Sequence, residues 1–416
     1  MDDVLGFVLK CYQVLLRCLS PLIPRAKLLV NGQDESFERL KVWRKQYPND
    51  DVLWVHAASL GEFEQGRPVI EGFKRQYPNA RVVLTFYSPS GYEVRKNYSG
   101  ADLILYLPLD TKFEMHRWIQ CLQPKLLALV KYEVWPNMLL VLKKMEIPVL
   151  MFSAIFRKDH RFFSGILKRY WSDVLCRVDY FHVQDEASFA LLRELGIQNV
   201  MVSGDTRYDR VGEVALQAQL SNRYIQWKGD STVVVLGSSY VFEEEAVVKL
   251  VARYLNVKWV IAPHHIDEEN VQRIERLFEG KTQRATTEGP LITKPILLLN
   301  TMGELGAMYK LGEVAIVGGG WGKGIHNVLE PAAHGCAVVW GPRAEKFLEA
   351  RLMIKAEGGF QVKSQDELVA QLQNWLDSAE KRKKVGNAAK EMVIRQMGAR
   401  DKVLKTIGEF WESEKR

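Results

Sequence analysis

Apolar residues along this chain fall in short, nearly continuous runs, separated by stretches with helical periodicity. From residue 52, VLWVHAAS reads as a buried strand, followed by a glycine turn and a helix from about Glu64 to Tyr77. RVVLTFYS, KLLALVKYE, IPVLMFSA and YFHVQDE continue the series of strands, with helical material between them. A second series begins near residue 231: TVVVLGSS is a strand, EEEAVVKLVARYL a helix, and KWVIAPHH, PILLLN, EVAIVGGG and AVVWGP are further strands. Apolar runs without alternation belong to strands buried on both faces, as in parallel sheets covered by helices. The expected fold is therefore α/β, with two Rossmann-like domains facing a cleft. Each run ends in a Gly, Ser, Pro or His cluster, and in open α/β sheets ligands bind outside the carboxyl ends of the strands.

The boundaries follow from the same pattern. Residues 29–210 form the first domain, 211–230 a polar and loosely patterned linker, and 231–395 the second domain. Leu368 to Trp411 is helical and charged, and 396–416 is expected to return as a helix to the first domain. Residues 1–28 stand apart. Val4 to Ile23 is strongly apolar but interrupted by Lys10 and Arg17, which a spanning helix accommodates only at a cost. Asp2 and Asp3 come first and no small-residue cleavage site follows, so a signal peptide is not indicated. An apolar helix lying in the membrane interface fits better, with Arg25 and Lys27 facing anionic headgroups; the alternative is a terminal helix packed on the protein's own core.

Composition narrows the function classes. A length of 416 residues suits two domains, and an apolar fraction of 47% excludes a disordered chain. The net charge of +7 fits an acidic partner such as a phosphorylated lipid, an anionic membrane or a nucleotide. Lys and Arg are spread along the chain rather than gathered in a stripe, which argues against a nucleic-acid binder. The five cysteines are widely spaced and form no CxxC pair, so neither a zinc site nor a disulfide framework is indicated.

Candidate chemistry sits at the strand ends. In Ala57-Ala58-Ser59-Leu60-Gly61-Glu62 a strand gives way to a glycine turn and a carboxylate at a helix start. Glu62 there can act as a general base, or simply complement the helix dipole. Ser238 and Ser239 precede a helix, where hydroxyls either cap it or bind an anion. Asn327 and Glu330 stand three apart after a glycine-rich turn. Glu133 alone reads more readily as a structural ion-pair member than as a catalytic group. Residues 152–177 mix Arg157, Lys158, Arg161, Lys168, Arg169 and Arg177 with Phe156, Phe162, Phe163, Tyr170 and Trp171; this is either a surface for lipid phosphates and acyl chains, or a solvated helix with its aromatics in the core. The pair His264-His265 has no third ligand at metal spacing beside it, so no metal is expected.

These segments together resemble a known family. Ser59-Leu60-Gly61-Glu62 is similar to its SVGE motif, Tyr132-Glu133-Val134-Trp135-Pro136-Asn137 to ETELWPN, and Gly204-Asp205-Thr206-Arg207-Tyr208-Asp209 to G-x-x-K-F-D. Ser238-Ser239-Tyr240 with Glu243-Glu244 resembles STH-x-x-EE, and Thr301-Met302-Gly303-Glu304-Leu305 resembles TMGEL. Gly318-Gly319 with His326-Asn327-Val328-Leu329-Glu330, then Gly341-Pro342 and Phe347, resemble its GG, HNPLE and closing segments. The chain is thus identified, by resemblance, as a member of the 3-deoxy-D-manno-octulosonic acid (Kdo) transferase family.

The resemblance implies a glycosyltransferase B-type fold and an inverting transfer of Kdo from CMP-Kdo to a phosphorylated lipid A precursor (lipid IVA) in lipopolysaccharide synthesis. It implies no cofactor, and a location on the cytoplasmic face of the inner membrane. It makes Glu62 the base and Glu133 a second essential carboxylate. Ser238, Ser239, His264, His265 and Arg207 would hold the donor phosphate, Asn327 and Glu330 the phosphate and ribose, and Met302 and Gly303 would border the cytosine. Five positions depart from the family: Lys131 for the first Glu of ETE, Ile155 for an arginine, His264 for the Arg of Pro-Arg-His, and Ile325 and Val328 around HN-x-LE. His264 replaces an arginine only when protonated or as a neutral hydrogen-bonding group. The competing readings are an enzyme of the same fold using another nucleotide sugar, and a non-catalytic two-domain ligand-binding protein.

Overall fold

A computed structural model describes residues 23–291 and 294–413. The chain divides into two compact units, residues 1–209 with 397–416, and residues 210–396. The apolar stretch Val4–Ile23 lies outside the described residues apart from Ile23. Among the described residues no helix is long and apolar enough to cross a membrane.

In the first unit, strands β1 (Val52–His56), β2 (Arg81–Phe86), β3 (Leu103–Tyr106), β4 (Leu126–Val130), β5 (Val149–Ala154), β6 (Tyr180–Val183) and β7 (Val200–Val202) form a parallel sheet in the order β3-β2-β1-β4-β5-β6-β7. Side chains alternate across the sheet: Val52 and Trp54 enter one buried cluster, Leu53 and Val55 the other. Both layers are covered, which is why β1 reads as an unbroken apolar run. The helix Leu60–Gln76, capped by Ser59, starts four residues earlier than the pattern predicts, because Glu62 serves its first turn.

The helix Ala399–Glu412 belongs to this unit. Asp209 holds its start, accepting hydrogen bonds from the Gly398 and Arg400 backbone N–H groups at 2.7 and 3.0 Å. Leu404 lies against Gly72, where a Cβ would come within 2.4 Å of its Cδ1, so that a larger residue there would have to displace that side chain. Trp411 packs edge-on to Phe73 at 4.8 Å.

The second unit holds β8 (Thr232–Ser239), β9 (Val257–Pro263), β10 (Thr282–Arg284), β11 (Ile296–Leu298), β12 (Val314–Val317), β13 (Ala337–Trp340) and β14 (Gly359–Gln361), again parallel, in the order β10-β11-β9-β8-β12-β13-β14. The stretch 211–230, read from sequence as a linker, contributes to two helices, Arg207–Gln217 and Asn222–Lys228. The second is seated in this unit by buried Tyr224 and Trp227, whose indole N–H donates to the Lys294 carbonyl at 2.9 Å.

The strands that the sequence pattern does not predict are β3, β7, β10 and β14, which are the four sheet edges. Each is only three or four residues long. An edge strand has one neighbour and needs no long apolar run.

Asp209→Ala removes the acceptor for two N–H groups at the start of the last helix. It is expected to destabilise the fold by about 1–2 kcal/mol, read as a lower denaturation midpoint.

Candidate active site

The first sheet reverses its order between β1 and β4, the position where α/β sheets open a crevice at their carboxyl ends. Ala57–Glu62 follows β1 and Lys131–Asn137 follows β4, so the topology sets Glu62 and Glu133 on the two sides of this switch point. Glu62 is buried and accepts a hydrogen bond from the Ser59 N–H at 3.1 Å. Its carboxyl is pushed above the ordinary glutamate range, first by burial and then by the charge of Glu133; Lys131, His56 and a bond from the Ala58 backbone oppose the shift. Capping and pKa elevation therefore coexist in one residue.

Glu133 accepts from the Trp135 indole N–H at 3.1 Å and faces the Nε2 of buried His56 at 3.9 Å. Its loop is anchored from behind by Asp110. That buried carboxylate accepts from the N–H groups of Asn137 and Met138 at 3.0 and 2.8 Å, at the start of the helix Pro136–Lys144. The Asn137 side chain returns a bond to the Asp110 carbonyl at 2.6 Å. Burial raises the Asp110 carboxyl to about 6, against the pull of these bonds. Neither His56 nor Asp110 is singled out by the sequence pattern: a His ending an apolar strand reads as core, and Asp110 meets its helix only in three dimensions.

Arg207 lies in the first unit. Its guanidinium and its backbone N–H both bind buried Asp205, at 2.7–2.9 Å, and Gln65 donates to the same carboxylate at 2.9 Å. The Thr206 hydroxyl donates to the Gln65 carbonyl at 2.6 Å, and its N–H donates to the Ser153 hydroxyl at 3.2 Å. These bonds fix the Gly204–Asp209 segment against the helix Leu60–Gln76. In the basic and aromatic stretch, Phe156, Phe162 and Tyr170 are core residues, with Trp171 packed beside them. Ile166, Leu167, Lys168 and Arg169 remain exposed.

The second sheet reverses between β8 and β12. Ser238 turns the chain with φ of 51°. The Ser239 hydroxyl donates to buried Glu244 at 2.8 Å, and Glu244 pairs with Arg273. Glu243, also buried, accepts from the N–H groups of Tyr240 and Gly319 at 3.1 and 3.0 Å. It thus ties the loop after β8 to the glycine loop after β12. In front of this brace the rings of Tyr240 and His264 stack at 4.9 Å, and His326 lies 4.6 Å from His264. The Tyr240 hydroxyl meets His326 Nε2 at 3.2 Å, and His265 stands edge-on to His264 at 4.7 Å. These rings line a cavity of about 810 Å³ with Trp321 and Lys323. Burial, then a neighbouring histidine, lowers the pKa of both His264 and His326, which favours the uncharged ring of His264 at neutral pH.

Asn327 and Glu330 form a second group. The Asn327 amide donates to Glu330 Oε1 at 3.0 Å while its oxygen accepts from the Leu329 N–H at 3.0 Å. Glu330 abuts Gly306 in the short helix Leu305–Met308, which follows the bend carrying Met302 and Gly303: a Cβ on Gly306 would lie 3.7 Å from its carboxylate. Met302 is 81% exposed, and Gly303 takes φ of 94°. Among the described residues no group of three His, Cys, Asp or Glu could hold a metal ion.

Residues 34–210 match the family model described as 3-deoxy-D-manno-octulosonic-acid transferase (kdotransferase). A 3-deoxy-D-manno-octulosonic acid transferase of Haemophilus influenzae is 30% identical over 380 residues, covering 88% of this chain and 88% of that protein. The chain belongs to the 3-deoxy-D-manno-octulosonic acid transferase family. A family member from Aquifex aeolicus is 28% identical over 369 residues, 85% of this chain and 96% of that protein. As a member of the Kdo transferase family the chain is a glycosyltransferase. Among solved structures, a UDP-GlcNAc 2-epimerase from Neisseria meningitidis aligns over 87% of this chain and 99% of its own, with a TM-score of 0.61 at 15% identity, a likeness of fold alone.

A carboxyl whose folded pKa is raised contributes its full stability below the unfolded value and loses it as pH climbs through the folded value. Glu62 is such a group. Glu62→Gln is therefore expected to melt at higher temperature than the wild type near neutral pH. The difference should vanish below about pH 4, where unfolded glutamate is itself protonated.

Proposed function

We propose that this Kdo transferase family member moves Kdo from CMP-Kdo to a phosphorylated lipid A precursor, lipid IVA, with inversion at the anomeric carbon. The observation that carries this reading is the pairing of Glu62 with Glu133 at the β1/β4 switch point in a chain of this family. A single displacement needs one base on the acceptor hydroxyl and a leaving group that departs with its bonding electrons. A carboxyl with a raised pKa suits the first task. Glu62 takes the acceptor proton, the acceptor oxygen bonds to the anomeric carbon, and CMP leaves with the electron pair of the broken C–O bond. Glu133 positions the base and the acceptor.

The second unit takes the donor in this reading. Ser238, Ser239, His265 and the uncharged His264 meet the phosphate by hydrogen bonds. Asn327 and Glu330 hold the ribose, and Met302 and Gly303 border the cytosine. Hydrogen-bond donors fixed in advance stabilise the charge that develops on a leaving phosphate. The brace of Glu243 on Gly319 keeps such a loop rigid. The work takes place on the cytoplasmic face of the inner membrane, with residues 1–28 as the attachment.

The test is incubation with CMP-Kdo and tetra-acylated, bisphosphorylated lipid A precursor, with the lipid read by mass spectrometry. The expected outcome is a gain of one or more Kdo masses. Glu62→Ala should lower the rate by about 10²–10⁴ while CMP still binds. No gain from a folded, CMP-binding protein, with gain from a UDP-sugar instead, would assign the chain another donor.

A further inference from the structure

We propose that His56 is a positioning residue for the carboxylate pair, presenting a fixed Nε2–H to Glu133 and so holding that side chain beside Glu62. The inference rests on the reading of Glu62 as the base. His56 ends β1 and is wholly buried. Its Nδ1 lies 2.9 Å from the Thr85 hydroxyl. That hydroxyl already accepts from the Trp54 indole N–H at 2.9 Å, so its own hydrogen must go elsewhere. The two acceptors in reach are His56 Nδ1 at 2.9 Å and the Val55 carbonyl at 3.5 Å. The shorter bond wins, because hydrogen bonds between hydroxyls and their acceptors weaken quickly beyond about 3 Å. Nδ1 is then the acceptor, and the ring hydrogen sits on Nε2.

Nε2 is buried without a hydrogen-bond partner. Buried polar atoms are rarely left so, and an unpaired one beside an active carboxylate calls for a reason. The anion it faces is Glu133 Oε2 at 3.9 Å, an ion-pair distance that closes to a hydrogen bond with a small shift on substrate binding. The same oxygen accepts from Trp135, whose ring stands edge-on to His56 at 5.8 Å and packs on Tyr87 at 4.9 Å. Two N–H donors thus converge on Oε2 from a rigid strand end and a packed indole. The other ionisable groups around the pair are Lys131, Tyr132, Arg157 and Arg161. Of these, Lys131 joins His56 in drawing the Glu62 carboxyl down. Removing the His56 donor leaves the negative charge of Glu133 less compensated, so Glu62 holds its proton to higher pH.

Asparagine and glutamine separate the two ring nitrogens. An Asn amide reaches about as far as Nδ1, and a Gln amide about as far as Nε2. His56→Asn is expected to lower kcat by about ten- to a hundredfold and to move the acid limb of the pH–rate profile upward, with KM for CMP-Kdo unchanged. His56→Gln should restore most of the rate and the position of the limb. Nitrogen-15 NMR of the ring, assigned by loss of the signal in His56→Gln, should show the Nε2–H tautomer in the wild type and loss of that preference in Thr85→Val. This readout needs no turnover, so it stands even if the wild type fails to transfer Kdo. The proposal is overturned if Asn and Gln impair the enzyme equally with the acid limb unmoved, or if the wild-type ring carries its hydrogen on Nδ1.

Discussion

A buried carboxylate next to a second carboxylate is the constraint on which the first unit is organised. Left alone, two acids at one strand-end crevice would each suppress the ionisation of the other. The fold manages this by anchoring the acids separately. Glu62 is fixed by its own helix start, through the Ser59 N–H, and Glu133 by the Trp135 indole. Asp110 then pins the helix that follows Glu133. Each of the three acids complements a backbone or indole N–H, so the arrangement is rigid before any substrate arrives. That rigidity costs stability at neutral pH, as is usual where a site stores perturbed acids.

The second unit uses the same device for another purpose. Glu243 and Glu244 follow one another, yet one binds the glycine loop and the other takes the Ser239 hydroxyl and Arg273. A glycine loop held from below by a carboxylate can lend its remaining backbone donors to a ligand without reorganising. The close approach of backbones explains the glycines. A Cβ on Gly318 would fall 2.0 Å from the Ser238 carbonyl, and one on Gly320 2.6 Å from Gly341. Where the family has Pro-Arg-His, this chain places His264 in a stack with Tyr240 and His326. The stack favours uncharged rings, so His264 does not supply the fixed cation that an arginine would.

Sequence reading reached the centre of both sheets and stopped at their rims. Val52–His56 and Leu126–Val130 are buried on both faces, and such strands announce themselves as apolar runs. Val200–Val202, with Met201 partly exposed, and Thr282–Arg284 carry no such signal, because one neighbour and a short length suffice at an edge. Strand-end clusters pointed to Glu62, Ser238 and Ser239, since in this fold class position along the strand locates the crevice, whereas Glu133 stood out only through the family resemblance. Residues acting through distant partners stayed hidden. Asp110 matters through Asn137, and His56 through Thr85 and Glu133. Arg207 was read as a contact to the donor phosphate, and its pairing with Asp205 two residues before it emerges only once the turn is built. The aromatics of residues 156–171 gave no sign of which face they occupy, because the chain there is mostly turns, with no regular period to read.

Glu133 helps set the proton affinity of Glu62. A carbon-13 NMR titration of the Glu62 carboxyl, in the wild type and in Glu133→Gln, measures this without requiring turnover. The expected wild-type midpoint lies above the ordinary glutamate range and falls toward that range when the charge on Glu133 is removed. A wild-type midpoint within the ordinary range, or one that does not move in Glu133→Gln, would contradict it.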